Sequence, residues 1–96
     1  MIISFGDKAT EQLYHGIRSK ESRKFPRNIV KVATRKLDML NGAQDLIDLR
    51  SPPGNQLEAL KGNLKDFHSI RINDQWRVVF KWDAGQIKEV RVTDYH

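Results

Sequence analysis

The chain predicts an α+β domain in which two main helices pack on a small antiparallel β-sheet. Two patterns carry that expectation. Apolar residues recur at about helical spacing in the first half, as Ala9, Leu13 and Ile17 and again as Ile29, Ala33, Leu37 and Leu40. From His68 onward they alternate with polar residues, the period of a strand with one buried face. Length adds a constraint: 96 residues suffice for one modest core and are too few for two, so residues 1–96 are read as a single domain.

Taken in order, Ile2 to Phe5 reads as a short strand, and Asp7 can cap a first helix that ends near Gly16. The stretch Ser19 to Lys24 is polar. Pro26 suits the first turn of a second helix, which runs to about Leu40 and stops at Asn41-Gly42. Val30 and Val32 widen its apolar stripe, while Arg27, Lys31 and Arg35 share another face. Ala43 to Leu49 can add a helical turn. Ser51-Pro52-Pro53-Gly54-Asn55 is read as a loop without regular structure, Leu57 to Leu60 fits no single class, and Lys61 to Asp66 is loop-like.

In the last third, His68, Ile70 and Ile72 alternate with Ser69, Arg71 and Asn73, and Trp76, Val78 and Phe80 alternate with Arg77, Val79 and Lys81. A three-residue loop at Asn73-Asp74-Gln75 sets Ile72 opposite Trp76, Ile70 opposite Val78, and Arg71 opposite Arg77. Two like charges facing across a sheet repel, so this pair calls for an anion, either a ligand or a carboxylate such as Asp74 or Glu89. A second loop, Ala84-Gly85-Gln86, would pair Phe80 with Val90, Val78 with Val92, Lys81 with Glu89 and Arg77 with Thr93, whereas a two-residue loop would scramble the faces.

Seventeen Lys and Arg outnumber twelve Asp and Glu, for a net charge of +5 that favours an anionic partner. From Arg18 to Lys36 eight bases stand against the single acid Glu21, either a solvated face or an anion-binding surface. There is no cysteine, which excludes disulfides and thiolate catalysis. No apolar run of about 18 residues exists to span a bilayer, and Met1 to Phe5 is too short for a signal peptide. A soluble cytoplasmic protein, without a membrane partner, is expected.

The chain ends Val92-Thr93-Asp94-Tyr95-His96, a strand that delivers a carboxylate, a phenol and an imidazole together. Cleaving RNA without a metal needs a base for the 2′-hydroxyl, a cation for charge gathering on the phosphate, and an acid for the leaving 5′-oxygen. His96 can be acid or base, since imidazole titrates nearest neutrality. Asp94 can orient or deprotonate, Tyr95 can stack on a base, and Arg77, Arg71 and Lys61 can stabilise phosphate. Lys65 and the bases Arg23, Lys24, Arg27, Lys31 and Arg35 are further candidates for RNA contact. Strand parity puts Tyr95 on the arginine face and directs Asp94 and His96 to the other. Neither a metal-ligand cluster nor a glycine-rich phosphate loop is present, so no metal or cofactor is expected. His15 reads as an ordinary helix residue, His68 as structural, and Trp76 and Trp82 as core.

Four segments resemble the HigB-type toxins, GraT-like members included, of the RelE-like superfamily. They are Leu49-Arg50-Ser51-Pro52-Pro53-Gly54-Asn55, Leu57-Glu58-Ala59-Leu60-Lys61-Gly62-Asn63, His68-Ser69-Ile70-Arg71-Ile72-Asn73-Asp74-Gln75-Trp76-Arg77 and the final Asp94-Tyr95-His96. The resemblance implies a RelE-like compact fold and an mRNA endonuclease acting on the translating ribosome. It implies neutralisation by a helix-turn-helix antitoxin, with operator DNA engaged through that antitoxin. It also implies catalytic positions at Asp94, Tyr95, His96, Arg77 and Lys61. Some members carry a second catalytic histidine where this chain has Glu58, so either Glu58 acts as base or His96 works with Asp94. Two rival readings are a same-fold DNA gyrase inhibitor and a binding module that has lost cleavage.

Overall fold

The computed structural model describes residues 1–94, so the Tyr95 and His96 of the expected site lie outside the described residues. Helices α1 (Lys8–Tyr14) and α2 (Arg27–Gly42) cover one face of a four-stranded antiparallel sheet. Its strands are β1 (Glu58–Ala59), β2 (Phe67–Arg71), β3 (Trp76–Asp83) and β4 (Gln86–Asp94), in that spatial order. The expected α+β architecture is the one observed.

Helix α2 starts after Pro26, whose carbonyl accepts from the Ile29 N–H at 3.1 Å. It closes at Gly42, two residues past the expected end, and Ala43 N–H returns to the Leu40 carbonyl at 3.2 Å. Ile29, Ala33, Leu37 and Leu40 are buried against Ile70, Val78, Phe80 and Val92, each large aliphatic side chain contributing about 1.5–3 kcal/mol by leaving water. Arg27, Lys31 and Arg35 are exposed, as their shared face requires. Lys36 departs from the basic surface. Only 8% exposed, its ammonium donates to Oδ1 of the fully buried Asn55. Asn55 Nδ2 in turn donates to the Leu49 carbonyl at 3.1 Å and the Ser51 carbonyl at 3.4 Å, which pins the proline turn to the helix. Burial holds the Lys36 ammonium below the ordinary lysine pKa, and repulsion from Arg35 and Arg71 adds to it.

In α1 the Asp7 carboxylate caps the Thr10 N–H at 2.8 Å. The stripe stops sooner than its spacing predicts. Gly16 takes φ +72°, a left-handed conformation that turns the chain out of the helix, and Ile17 is left 49% exposed. The segment Ile2 to Phe5 forms isolated parallel bridges, Ile2 to Ile87 and Phe5 to Val90, in place of the expected strand. It still pairs with the outer edge of β4 through Ile3 N–H to the Ile87 carbonyl and Gly6 N–H to the Val90 carbonyl, each 2.7 Å.

Between α2 and β2 the chain runs through short 3-10 turns at Leu46–Arg50, Pro53–Asn55 and Gly62–Leu64. The middle one corrects the expectation that two prolines exclude regular structure, because Pro52 stays extended before the turn and Pro53 takes its first position, where a proline's missing N–H costs nothing. Leu57 to Leu60 resolves as the two-residue β1.

The first hairpin has the expected register, Arg71 opposite Arg77 and Ile70 opposite Val78. Asn73 Oδ1 fastens its loop by accepting from Gln75 N–H at 2.9 Å and Trp76 N–H at 2.8 Å. The second hairpin pairs Val78 with Val92 and Arg77 with Thr93 as expected, but through a different device. Asp83 pairs with Gln86 across the two residues Ala84 and Gly85, both at positive φ as tight two-residue turns demand. A register shift between Val79 and Lys81 then inserts one residue into β4, where Glu89 has φ +53°. Lys81 therefore pairs with Lys88, not Glu89, and Phe80 falls at the bulge. An even loop plus a bulge restores the parity that an odd loop would have given.

Candidate functional site at the end of the sheet

Alternation along the strands leaves a face turned away from the helices, carrying Ser69 and Arg71 of β2, Arg77 and Val79 of β3, and Arg91 and Thr93 of β4. The ladders align these into two rows, Arg71–Arg77–Thr93 and Glu58–Ser69–Val79–Arg91. Arg77 lies within the sheet surface, 7% exposed. Its Nε donates to Ser69 Oγ at 2.8 Å, and its Nη2 donates to the Gln56 carbonyl at 2.6 Å and the Ser69 carbonyl at 3.3 Å. Arg71 turns the other way and pairs with the exposed Asp74 carboxylate. The two facing cations thus diverge, one into a buried framework and one, half-buried, toward an exposed carboxylate.

The remaining candidates are placed by the strands and the turn that carry them. Asp94 ends β4, paired with Trp76 in the ladder and beside the Thr93 that faces Arg77. Its Oδ2 accepts from Gln75 Nε2 at 2.9 Å. Glu58 lies on the edge strand opposite Ser69, whose hydroxyl holds Arg77. Lys61 and Lys65 stand exposed on either side of the Gly62–Leu64 turn. Two clefts adjoin the strand end. One, about 480 Å³, lies on the open face between Asn63, Leu64, Phe67 and Val79 and the Arg91–Asp94 end of β4. The other, about 420 Å³, lies between that same strand end, Trp76, Asp7 and Lys24. Asp94 lines both, despite a strand parity that assigns it to the helix side.

Arg23, Arg27, Lys31 and Arg35 stay on the exposed surface of α2 and its approach, whereas Lys24 borders the second cleft. His15 is exposed at the end of α1. His68 stacks on Phe80 with ring centroids 6.1 Å apart and points toward the helix side. Its Nδ1 is buried without a hydrogen-bond partner among the described residues, and burial lowers its pKa against an opposing pull from Asp66. Trp76 packs edge-on against Phe25 at 5.6 Å, and Trp82 also packs on the core.

Sequence reasoning missed Ser69, Asn55 and the Gln56 carbonyl, which hold Arg77 or the loop beside it. Ser69 was within reach of pattern reading, because the hairpin register makes it a diagonal neighbour of Arg77, and a buried guanidinium requires acceptors. Asn55 and Gln56 carried no such signal, since a loop has no register. Arg91 falls on the arginine face as the register requires, opposite Val79, but the alternation carried no signal of a role for it.

Residues 3–96 match the family model for the RelE-like toxin of the type II toxin-antitoxin system HigB. The chain is 46% identical over 85 residues to the toxin HigB-1 of Vibrio cholerae serotype O1, covering 88% of this chain and 87% of that protein. Among solved structures, it resembles a YoeB dimer from Staphylococcus aureus at 27% identity and TM-score 0.58, over 99% of this chain and 94% of the other. It shares the fold of a chain in a YoeB-YefM complex from the same organism, at 21% identity and TM-score 0.61, over 100% and 98% of the two chains.

Proposed function

Because the chain belongs to the HigB family of RelE-like toxins of type II toxin-antitoxin systems, we propose that it is a ribosome-dependent mRNA endonuclease that arrests translation and growth. The supporting observation is Arg77. Its guanidinium is fixed by Ser69 and Gln56, one strand from Thr93 and Asp94 and two strands from Glu58. A cation that needs no reorganisation stabilises developing phosphate charge far better than one that must be ordered during the reaction.

In this reading a base removes the 2′-hydroxyl proton, the 2′-oxygen attacks the adjacent phosphorus, and the bond to the 5′-oxygen breaks. The products are a 2′,3′-cyclic phosphate and a 5′-hydroxyl. When Glu58 takes the first proton, His96 supplies one to the leaving oxygen; when His96, oriented by Asp94, takes it, the leaving oxygen takes its proton from water. Arg77 and Lys61 carry the charge on the phosphate, and Tyr95 stacks on a neighbouring base. Lys65, Arg71 and the exposed Arg23, Arg27, Lys31 and Arg35 dock the toxin on ribosomal RNA, so association weakens with salt.

The partner that holds this activity in check is a helix-turn-helix antitoxin, through which the pair reaches operator DNA. The complex of the structurally similar YoeB with YefM supports an antitoxin partner. No helix among the described residues is long and apolar enough to cross a membrane, and a cytoplasmic site of action is part of the proposal. The test is to incubate the chain with message-programmed ribosomes, with naked message, and with gyrase and relaxed plasmid. Cleavage only on ribosomes is expected. Blocked supercoiling with intact message would replace this reading with gyrase inhibition.

A further inference from the structure

We propose that the cleft beside Trp76 is a second nucleotide subsite, which grips an RNA residue flanking the scissile phosphate. The inference rests on the ribonuclease reading above and concerns Trp76, Lys24, Arg91 and Asp7, which that reading leaves without a role. The cleft holds about 420 Å³, within the range of about 300–1,000 Å³ typical of small-ligand sites. Arg91, Thr93 and Asp94 line it and the open-face cleft alike. An RNA strand passing over the end of β4 therefore meets both clefts in succession.

The lining has the chemistry of nucleotide recognition. Trp76 is half-buried at its wall, braced by the edge of Phe25 at 5.6 Å, and offers an indole for base stacking. Lys24 is held with its ammonium 5.3 Å from the Phe25 ring centroid, so a cation stands beside that aromatic pair. Arg91 supplies a second cation, and its position depends on Gly6. A β-carbon there would come within 2.7 Å of Arg91 Nε and 2.9 Å of Nη2, so the absence of a side chain leaves the guanidinium room to lie against the backbone beside Asp7. Two cations for a phosphate, an indole for a base, and the carboxylates of Asp7 and Asp94 for amino or hydroxyl donors suit a nucleotide better than a simple anion. Lys24 belongs to this site and not to the docking surface of α2.

Crosslinking on message-programmed ribosomes tests the assignment. A message carrying 4-thiouridine at successive positions around the cut is bound by the His96→Ala variant, which keeps the substrate intact, and crosslinked peptides are mapped. One flanking position should attach to the Lys24–Phe25 segment or to Trp76. Lys24→Gln and Arg91→Gln should each cleave about tenfold more slowly than the unmodified chain, with altered nucleotide preference at that position. Crosslinks confined to Asn63–Phe67 and Val79, or a Lys24→Gln variant with unchanged rate and preference, would overturn the subsite while leaving the ribonuclease reading intact. Failure of the unmodified chain to cleave would overturn both.

Discussion

On the helix-covered face of the sheet Ile70, Val78, Phe80, Val90 and Val92 are buried and apolar, whereas on the open face burial falls on Ser69, Arg77 and Val79. The first face is held by transfer of hydrocarbon from water, which is non-directional and tolerates conservative exchange. The second depends on directed hydrogen bonds from a guanidinium to one hydroxyl and two carbonyls. Losing a partner there leaves a buried polar group unmatched. The difference explains why a small domain can keep a rigid cation on a face with no helix over it.

The largest expected effect separates the two rules. Arg77→Ala should lower ribosome-dependent cleavage by about a hundredfold to a thousandfold, the scale for removing a preorganised charge stabiliser. Circular dichroism should show that the helices persist, because α2 packs on the other face. Loss of the helices along with the activity would mean that the two faces are not separable.

Asn55→Ala should come next, destabilising the chain by about 2–3 kcal/mol in urea denaturation by stranding Lys36 and the Leu49 and Ser51 carbonyls. A change below about 0.5 kcal/mol would show that water replaces the amide. The third effect is a slope with pH. Burial lowers the His68 pKa, so the folded chain resists a proton that the unfolded chain accepts. Stability is then full above about pH 6.5 and falls as the pH drops below that ordinary histidine value. His68→Phe should flatten the decline in Tm between pH 7 and pH 5, and an unchanged slope would remove His68 from the account. The smallest effect is expected at Arg71, which pairs with an exposed carboxylate: Arg71→Ala should cost less than about 1 kcal/mol of stability and only a few-fold in cleavage. Equality with Arg77→Ala would erase the contrast between the two facing arginines.

The same contrast governs how much could be read from sequence. Periodicity reports burial of apolar groups, so the stripe of α2, the Ile70–Val78 pairing and the Arg71–Arg77 opposition were all legible. It reports nothing about which buried polar groups find partners across the chain. Lys36 was counted with the basic surface although its ammonium is buried on Asn55, and the Ser69–Arg77–Gln56 framework depends on a loop that no pattern positions. The bulge at Glu89 hid itself because it preserves strand parity, and the place of Arg91 between two clefts depends on packing of residues 63–67 and the Asp7 segment that no alternation reports. Of the candidate site, Arg77 and Asp94 fall on neighbouring strands one residue out of register, while Tyr95 and His96 lie outside the described residues.

The chemistry of the cut ends tests the central claim most directly. Message recovered from programmed ribosomes treated with the unmodified chain should carry 2′,3′-cyclic phosphate on the upstream fragment and a 5′-hydroxyl on the downstream one, and His96→Ala should leave it uncut. Fragments ending instead in 3′-hydroxyl and 5′-phosphate, or equal cutting by His96→Ala, would contradict 2′-hydroxyl attack driven from the end of β4.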